Sequence, residues 1–581
     1  DFQWVQQNFK AIERLFTIEF NRDWNIQTVT ANQSLLTTGL LFDFNKNGNA
    51  KYQLEKLDFG SNFSGIKNSF FGNYKTKNWI FNTKNSWLKS AEITEKSNFL
   101  RTESQAKYNF KKNYVGANFR AEHNQKKNNM TNIYLLPSQK FREFGAFVGR
   151  GDSTKVFVET GYFNRVNDSL QTGYLKRVNT SHSMYLKSKL IQTNKANLSI
   201  FINYRKLNYE DKTRLSEPSL NSRILYSDSY LNQLIQLTAV YENVSGTLPQ
   251  QEFTYVEVAP TQGVYMWNDY NGNGIQELQE FEVAPFPDMA RYVRVFLPNQ
   301  IFVKTHQNKF SQSVTINPSK WFNDIGFKKF ASHFYNQTSF ALDRKIKRIS
   351  NNFELNPFTN SQENLLGLNA SFRNSFFYNR GKQNHSITYN YLNNHLKTLL
   401  SIGSQENKTN LHQLQYAHLF KKSWLINGNT AVSKTISVSD NYASRNFNIN
   451  SYSIEPKISY VFNTNCSLGV FYEFKNKENT ISNREKLKQN QLGITFNYLS
   501  EKQVTVNAEY SLYNNQFTGN AVSPVAFTML EGLQPNKNST WKLLLQKKLT
   551  QYLDININYM GRKSQSLPTI HTGNVQLRAY F

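Results

Sequence analysis

Hydrophobic and polar residues alternate strictly in many separate stretches of the chain. The alternation is clearest at residues 115–122, 493–498, 504–512, 553–559 and 575–581. A period of two places successive side chains on opposite faces of a β-strand. The sequence therefore predicts an all-β fold in which each strand has one apolar and one polar face.

The length of these stretches separates two kinds of β-protein. Strands of a soluble sandwich usually have about 5–6 residues, whereas a tilted membrane-crossing strand needs about 9–11. Alternating or mixed stretches such as Asn197–Tyr209 and Ser386–Ser401 exceed ten residues. The polar faces also carry single charges, among them Arg120, Glu509 and Arg578. Such charges are costly in a dry core but stay hydrated in a lumen. A transmembrane antiparallel β-barrel is the preferred interpretation, and a soluble sandwich is the rival.

The spacing of the turns predicts roughly 22–26 strands, in keeping with a large barrel of the bacterial outer membrane. We assign residues 27–581 to one barrel domain with a long outer loop near residues 244–291. Residues 1–26 are interpreted as a lead-in segment or a short helix, because five apolar residues there recur at helical spacing. A first, irregular strand is the alternative. These five residues are Phe2, Val5, Phe9, Ile12 and Phe16.

The composition agrees with a barrel wall. Only 39% of the 581 residues are hydrophobic, yet the chain has 45 Phe, 32 Tyr and 8 Trp. Disordered chains are polar too, but they are poor in aromatic residues. No run of about 18 apolar residues is present, so no membrane-spanning helix is expected. The single cysteine, Cys466, excludes an internal disulfide framework.

The net charge of +27 raises the question of nucleic acid. The basic residues are spread over the whole chain, and no nucleic-acid-binding motif accompanies them. Nucleic acid is therefore not expected as a partner. Phosphate groups of lipopolysaccharide at the outer rim, or anionic solutes in the lumen, are more economical partners for such a charge.

One motif carries specific chemistry. Residues 269–280 match the calcium-loop pattern D-x-[DN]-x-[DN]-G-x5-E at every specified position. Side-chain oxygens at alternate positions can surround one ion, a glycine allows the sharp turn, and a final glutamate closes the shell. The expected cofactor is a structural Ca²⁺, and the alternative is an Asn-Gly turn with incidental acidic residues. The predicted ligands are Asp269, Asn271, Asn273, the carbonyl of Ile275, Glu277 and Glu280.

Three stretches carry a family resemblance. The terminal strand Gly573–Phe581 resembles the signal that ends bacterial outer-membrane barrels. The stretches Glu19–Asn25 and Asp269–Phe281 resemble segments of large barrels of the Bacteroidota, many of which have a preceding periplasmic region. The resemblance implies an outer-membrane location, recognition by the barrel assembly machinery, and a position at the C-terminal end of a longer precursor. It supplies no catalytic residue.

No motif of a hydrolase, a nucleotide-binding enzyme or a metalloprotease is visible in the sequence. We therefore expect a non-enzymatic barrel that acts as a channel or translocation pore, or as a subunit of a larger outer-membrane transport complex. The expected partners are outer-membrane lipid and lipopolysaccharide, the assembly machinery, and a plug or other envelope proteins. The alternative is a surface structural or adhesion protein whose barrel is only an anchor, and a barrel enzyme is a third class.

Overall fold

The computed structural model describes most of the chain. The described residues are 2–7, 33–60, 63–136, 138–152, 154–349, 351–359, 364–382, 384–400, 403–500, 504–550, 552–565 and 567–579. The motif Glu19–Asn25 and the last residue, Phe581, lie outside this part. The chain divides into two units, Asp1–Leu225 and Tyr226–Phe581.

The first unit is an antiparallel meander in which each strand pairs with the next from β1 to β11. Most connections are short turns, as expected for sequential hairpins. The strands are β1 Phe2–Gln7, β2 Gln33–Asp43, β3 Gly48–Phe59, β4 Phe63–Lys75, β5 Trp79–Glu92, β6 Glu95–Phe110, β7 Asn113–Asn128, β8 Gln139–Gly151, β9 Phe157–Gln171, β10 Tyr174–Gln192 and β11 Asn197–Tyr209.

The strand β12 comprises Glu217–Tyr230, and the strands of the second unit are also antiparallel. Its strands are β13 Ile235–Glu257, β14 Tyr265–Trp267, β15 Phe281–Val283, β16 Tyr292–Ile316, β17 Phe334–Lys347, β18 Leu365–Tyr378, β19 Ser386–Leu400, β20 Gly403–Phe420, β21 Trp424–Ser439, β22 Phe447–Asn463, β23 Cys466–Asn479, β24 Lys486–Leu499, β25 Val504–Thr518, β26 Asn536–Thr550, β27 Leu553–Ser564 and β28 Ile570–Ala579. Two short helices, α1 Phe327–Ala331 and α2 Pro524–Leu530, lie in connections between strands.

The expectation of an all-β, antiparallel fold is confirmed. In the described part, 25 strands have ten residues or more, and three are shorter. No helix among the described residues has the length and apolarity needed to cross a membrane. Residues Phe2–Gln7 form a strand that pairs with β2, which is the alternative that the sequence left open for this segment. Residues 8–32 lie outside the described part, so the boundary at residue 26 stays a prediction.

The strands of the second unit have their apolar side chains on the exposed face. On β24, Leu492 is 51% exposed whereas the preceding Gln491 is only 7% exposed. The exposed face continues onto the neighbouring strands, because Ile494 is paired with both Val470 and Tyr510, and all three are exposed. This order is the reverse of a soluble protein, in which the polar face meets water.

The first unit shows the same distribution. Side chains such as Phe144 and Val148 are exposed on one face of β8. On the opposite face, charges of alternating sign follow one another across β6 to β9. Arg120 lies 3.2 Å from Glu103 and 3.7 Å from Glu143, which in turn lies 3.9 Å from Arg165. The polar face of each unit therefore carries paired charges and amides, and the apolar side chains of the other face are exposed.

Candidate functional site

The longest strands of the second unit form one hairpin. β13 and β16 have 23 and 25 residues and are paired from Ile235–Ile316 to Glu257–Tyr292. At about 3.4 Å per residue such strands reach roughly 75 Å, far more than a membrane-crossing strand of about 9–11 residues. Residues 258–291, the cap loop, connect the far end of this hairpin. The irregular stretch is shorter than the predicted 244–291, because residues 244–257 continue β13.

The cap loop contains the predicted calcium motif, folded as a tight turn around the carboxylate of Asp269. Asp269 Oδ1 accepts hydrogen bonds from the N–H groups of Gly272 (2.7 Å) and Asn273 (3.1 Å), and its Oδ2 accepts from that of Gly274 (2.8 Å). Gly274 has a φ of +71°, in the left-handed region that glycine tolerates best. Its position is that of the glycine in a calcium loop.

The two asparagines extend this turn. Asn271 Oδ1 accepts from the N–H of Asn273 at 2.9 Å, and Asn273 Oδ1 accepts from the N–H of Ile275 at 2.7 Å. Asn271 also donates through Nδ2 to the carboxylate of Glu277 at 2.7 Å. The backbone therefore fixes the three oxygen-bearing side chains of Asp269, Asn271 and Asn273 on one short segment.

Glu280, the predicted closing ligand, is buried at the base of the turn. It is 1% exposed, and its carboxylate accepts from the backbone N–H of Tyr270 at 3.1 Å and the indole N–H of Trp267 at 2.8 Å. β14 and β15 pair beside it. Glu280 thus holds the two ends of the motif together. Among the described residues, no group of three or more His, Cys, Asp or Glu side chains is placed as a ready metal cluster.

Arg445 anchors the cap loop from a distant part of the second unit. It lies in the 3₁₀ turn Ala443–Arg445 between β21 and β22. Its guanidinium donates to the carbonyls of Gln279 (2.7 Å) and Phe281 (3.2 Å) and to the carboxylate of Glu282 (2.7 Å). Burial raises the pKa of the Glu282 carboxyl, and the neighbouring guanidinium opposes that rise. Arg445 therefore ties the base of the calcium motif to the β21–β22 connection.

Arg562 of β27 provides a second anchor. Its two terminal nitrogens donate to the two carboxylate oxygens of Asp288 at 2.5 and 2.7 Å, which is the bidentate geometry of the strong arginine–carboxylate pair. The same guanidinium lies 4.3 Å from the ring centre of Phe286. Arg562 lies on the same face of β27 as Asn556 and Asn558, which is the polar face. The cap loop therefore folds over that face.

A small apolar cluster supports the β21–β22 connection. Helix α2 begins at Pro524 after Ser523, whose hydroxyl accepts from the N–H of Ala526 at 3.1 Å. It contacts the 3₁₀ turn that carries Arg445. On the polar face it buries an apolar cluster, which consists of Ile449, Leu487, Val525, Ala526, Met529 and Leu530. Lys477 donates to the carbonyl of Met529 and to the carboxylate of Glu531 at the end of α2.

The sequence singled out residues 269–280 as a candidate calcium loop, but it did not indicate the two arginines that hold this loop. Arg445 and Arg562 are two of 68 Lys and Arg residues, and nothing in their local sequence distinguishes them. Their partners are 163 and 274 residues away. Helix α2 did have a signal, because a serine followed by proline before a short apolar run is typical of a helix start.

Comparison with known proteins shows remote similarity only. No family model and no curated protein matches the chain. Among solved structures, the siderophore receptor PirA from Pseudomonas aeruginosa shares 8% identity over 88% of this chain and 76% of its own, with a TM-score of 0.30. The ferric preacinetobactin receptor BauA from Acinetobacter baumannii shares 9% over 94% and 78%, with a TM-score of 0.29. The ferric-catecholate import receptor Fiu from E. coli shares 9% over 88% and 82%, with a TM-score of 0.30. Since TM-scores near 0.3 indicate no close superposition, the function proposed below rests on the residues of this chain.

Proposed function

We propose that the chain is a non-enzymatic β-barrel of the bacterial outer membrane that passes a substrate through its lumen, alone or within a larger transport complex. The observation that supports this proposal is the reversed distribution of side chains, with apolar residues on the exposed face and polar residues on the covered face of the same strands. Removing apolar surface from water gains about 25 cal/mol per Å². An exposed apolar face is favourable when lipid, rather than water, surrounds it.

The barrel form of the proposal follows from the backbone. In lipid every backbone N–H and C=O must be satisfied within the protein, so an open sheet edge is not tolerated and a spanning sheet has to close. A barrel of about this many strands has a lumen that must be plugged or gated. The cap loop and helix α2 fold over the polar face and supply such a cover. This cover favours a gated pore over a barrel that serves only as an anchor.

Removal of the cover tests the pore directly. We expect the protein with residues 258–291 replaced by a short Gly-containing turn to give large conducting events in planar lipid bilayers, whereas the intact protein conducts little. The matched control removes residues 211–216, which form another connection between strands. If neither variant conducts although both insert, the proposal of a pore is wrong. The alternative of a surface anchor or adhesion protein is then favoured.

We propose further that the calcium motif binds one structural Ca²⁺. The chemistry of the donor set supports this, because carboxylate, amide and carbonyl oxygens suit a hard cation. Asp269, Asn271, Asn273, Ile275, Glu277 and Glu280 would hold the ion, which would neutralise the carboxylates of the turn. A loop outside the cell would meet abundant calcium, and extracellular modules bind it with Kd values of roughly 10⁻⁴–10⁻³ M.

Calorimetry on the purified protein tests the calcium proposal. We expect one ion per chain in the wild type and none in the variant with Asp269→Ala and Glu280→Ala. In that variant the cap loop becomes protease-sensitive while the strands stay folded. Glu257→Ala, which removes a carboxylate beside the loop but outside the motif, is the control and leaves uptake intact. Unchanged uptake in the double variant would place the ion elsewhere.

The proposed partners follow from the location. Lipopolysaccharide phosphates would meet basic residues at the outer rim, and the barrel assembly machinery would insert the chain, with the terminal strand as its signal. Envelope proteins that plug the lumen or complete a transport complex are further proposed partners. Co-purification from native membranes identifies those that travel with the chain.

A further inference from the structure

The connection between β16 and β17 differs from the other turns at its end of the second unit. It lies opposite the cap loop along β16 and comprises residues 317–333, with a 3₁₀ turn at Pro318–Trp321 and helix α1. Other strand connections at this end are much shorter, such as residues 421–423 and 464–465. A turn has no need of 17 residues to join two paired strands. Its composition indicates what the extra length is for.

This turn presents four exposed large apolar side chains. Ile325 is 89% exposed and Phe327 is 79% exposed, and Phe330 and Phe322 are also exposed. None of these side chains packs into a core of the described structure. A group of four such side chains on one connection is a mark of an interaction surface.

Aromatic rings connect this surface with the apolar face of the sheet. The ring of Phe330 lies 5.1 Å from that of Phe334, the first residue of β17, and Phe334 lies 5.5 Å from the exposed Phe376 of β18. Phe334 also lies 5.3 Å from Tyr378. The apolar surface of the turn is therefore continuous with the face that we propose to meet lipid.

Basic residues border the same surface. Residues 317–333 contain Lys320, Lys328 and Lys329 against a single acid, Asp324, which lies 3.8 Å from Lys328. From the next turn, Lys382 places its Nζ 4.6 Å from the ring centre of Phe322. Aromatic rings with flanking lysines are the side chains that favour the boundary between lipid and water, where the rings enter and the ammonium groups remain hydrated.

We infer that residues 317–333 form an interfacial anchor that inserts into the periplasmic leaflet of the outer membrane and binds anionic phospholipid headgroups through its lysines. The inference rests on the proposed membrane location and adds a specific lipid-binding surface to it. Continuity with the apolar face and the positive charge favour lipid over a periplasmic protein as the occupant. Phe327 and Ile325 enter the leaflet, and Lys328 and Lys329 pair with phosphate.

Site-directed fluorescence tests this anchor. In a Cys466→Ser background, Ile325→Cys is labelled with an environment-sensitive fluorophore, and the protein is placed in phospholipid nanodiscs. Ile494→Cys on the apolar face is the positive control for lipid contact. Val522→Cys, an exposed apolar residue in the connection at the opposite end of the unit, is the negative control.

Nitroxide-labelled lipid is expected to quench the probe at Ile325 about twofold or more, while iodide in water has little effect, as for an interfacial segment. Quenching by iodide but not by lipid at Ile325, with lipid quenching intact at Ile494, overturns the anchor and leaves the membrane proposal standing. That result would mark the surface as a docking site for a periplasmic protein. Absence of lipid quenching at both sites overturns both proposals.

A second comparison tests the lysines. Nanodiscs that contain phosphatidylglycerol are expected to give stronger quenching at Ile325 than nanodiscs of phosphatidylcholine alone, and Lys328→Gln with Lys329→Gln is expected to abolish this difference. Equal quenching in the two lipids for the unsubstituted turn would overturn the headgroup contact. Lys212→Gln, in a connection of the first unit, is the matched charge control and should leave the difference unchanged.

Discussion

Replacing Ile557 with arginine is expected to abolish assembly of the protein in the membrane, whereas Asn556→Arg in the adjacent position is tolerated. Ile557 pairs with Leu545 on one side and with the exposed Val575 on the other, so its side chain belongs to the apolar face. An arginine at the midplane of the lipid face costs about 2–4 kcal/mol. Asn556 belongs to the polar face, where an added guanidinium stays hydrated.

Heat-modifiability on gels and the amount of protein in the membrane fraction measure this difference. Both variants add the same side chain to the same strand, so the comparison separates the faces from any general effect of arginine on β27. Equal loss or equal tolerance of the two variants would contradict the assignment of the faces. It would also contradict the interpretation of the exposed apolar face as a lipid-facing surface, on which the proposed location rests.

The second large effect is expected from the anchors of the cap loop. Arg562→Ala with Arg445→Ala should leave the strands assembled but release the loop, and conductance in planar bilayers should rise strongly above that of the wild type. The side chain of Arg562 is 9% exposed and that of Asp288 is 24% exposed. Breaking a buried pair by removal of one partner costs about 3–5 kcal/mol. A loss of stabilisation of that size converts a cap loop that is rarely open into one that is mostly open.

The matched control is Arg120→Ala, which removes a guanidinium from the ion pairs on the polar face of the first unit without touching the cap loop. It should alter the conductance little. Protease cleavage within residues 258–291 provides a separate readout, because a released loop is cut faster even where the current is small. A cap that stays protected and closed in the double variant would show that the two arginines do not hold it.

The sequence was sufficient for the wall of the protein because the wall is built from local alternation. The faces assigned to residues 553–559 and 504–512 follow from a period of two, and that period needs no knowledge of distant contacts. The end of the long hairpin was less well predicted. Gly246 and Pro249 are typical strand breakers, yet pairing with β16 carries β13 past both of them to Glu257.

The candidate site was predictable only in part, for a related reason. The residues of the proposed calcium motif are adjacent in sequence, so their spacing alone was enough to propose it. The anchors depend on where the strands place Arg445 and Arg562, and that placement is a property of the pairing order rather than of any short stretch. An arginine acquires such a role from its partner, and the partner is remote in sequence.

We expect that remoteness to influence the order of assembly. Asp288 and Arg562 are separated by 274 residues. The entropy cost of bringing them together is therefore met only after the intervening hairpins have formed and shortened the effective loop. The contact between Glu282 and Arg445 closes a loop of 163 residues and is available earlier. We expect the cap loop to dock first on the β21–β22 connection and to lock when β27 joins the wall. A folding intermediate that lacks the last two strands would therefore leave the cap loop held by Arg445 alone. In the proposed barrel, completion of the sheet and fixation of the cap loop would be one event.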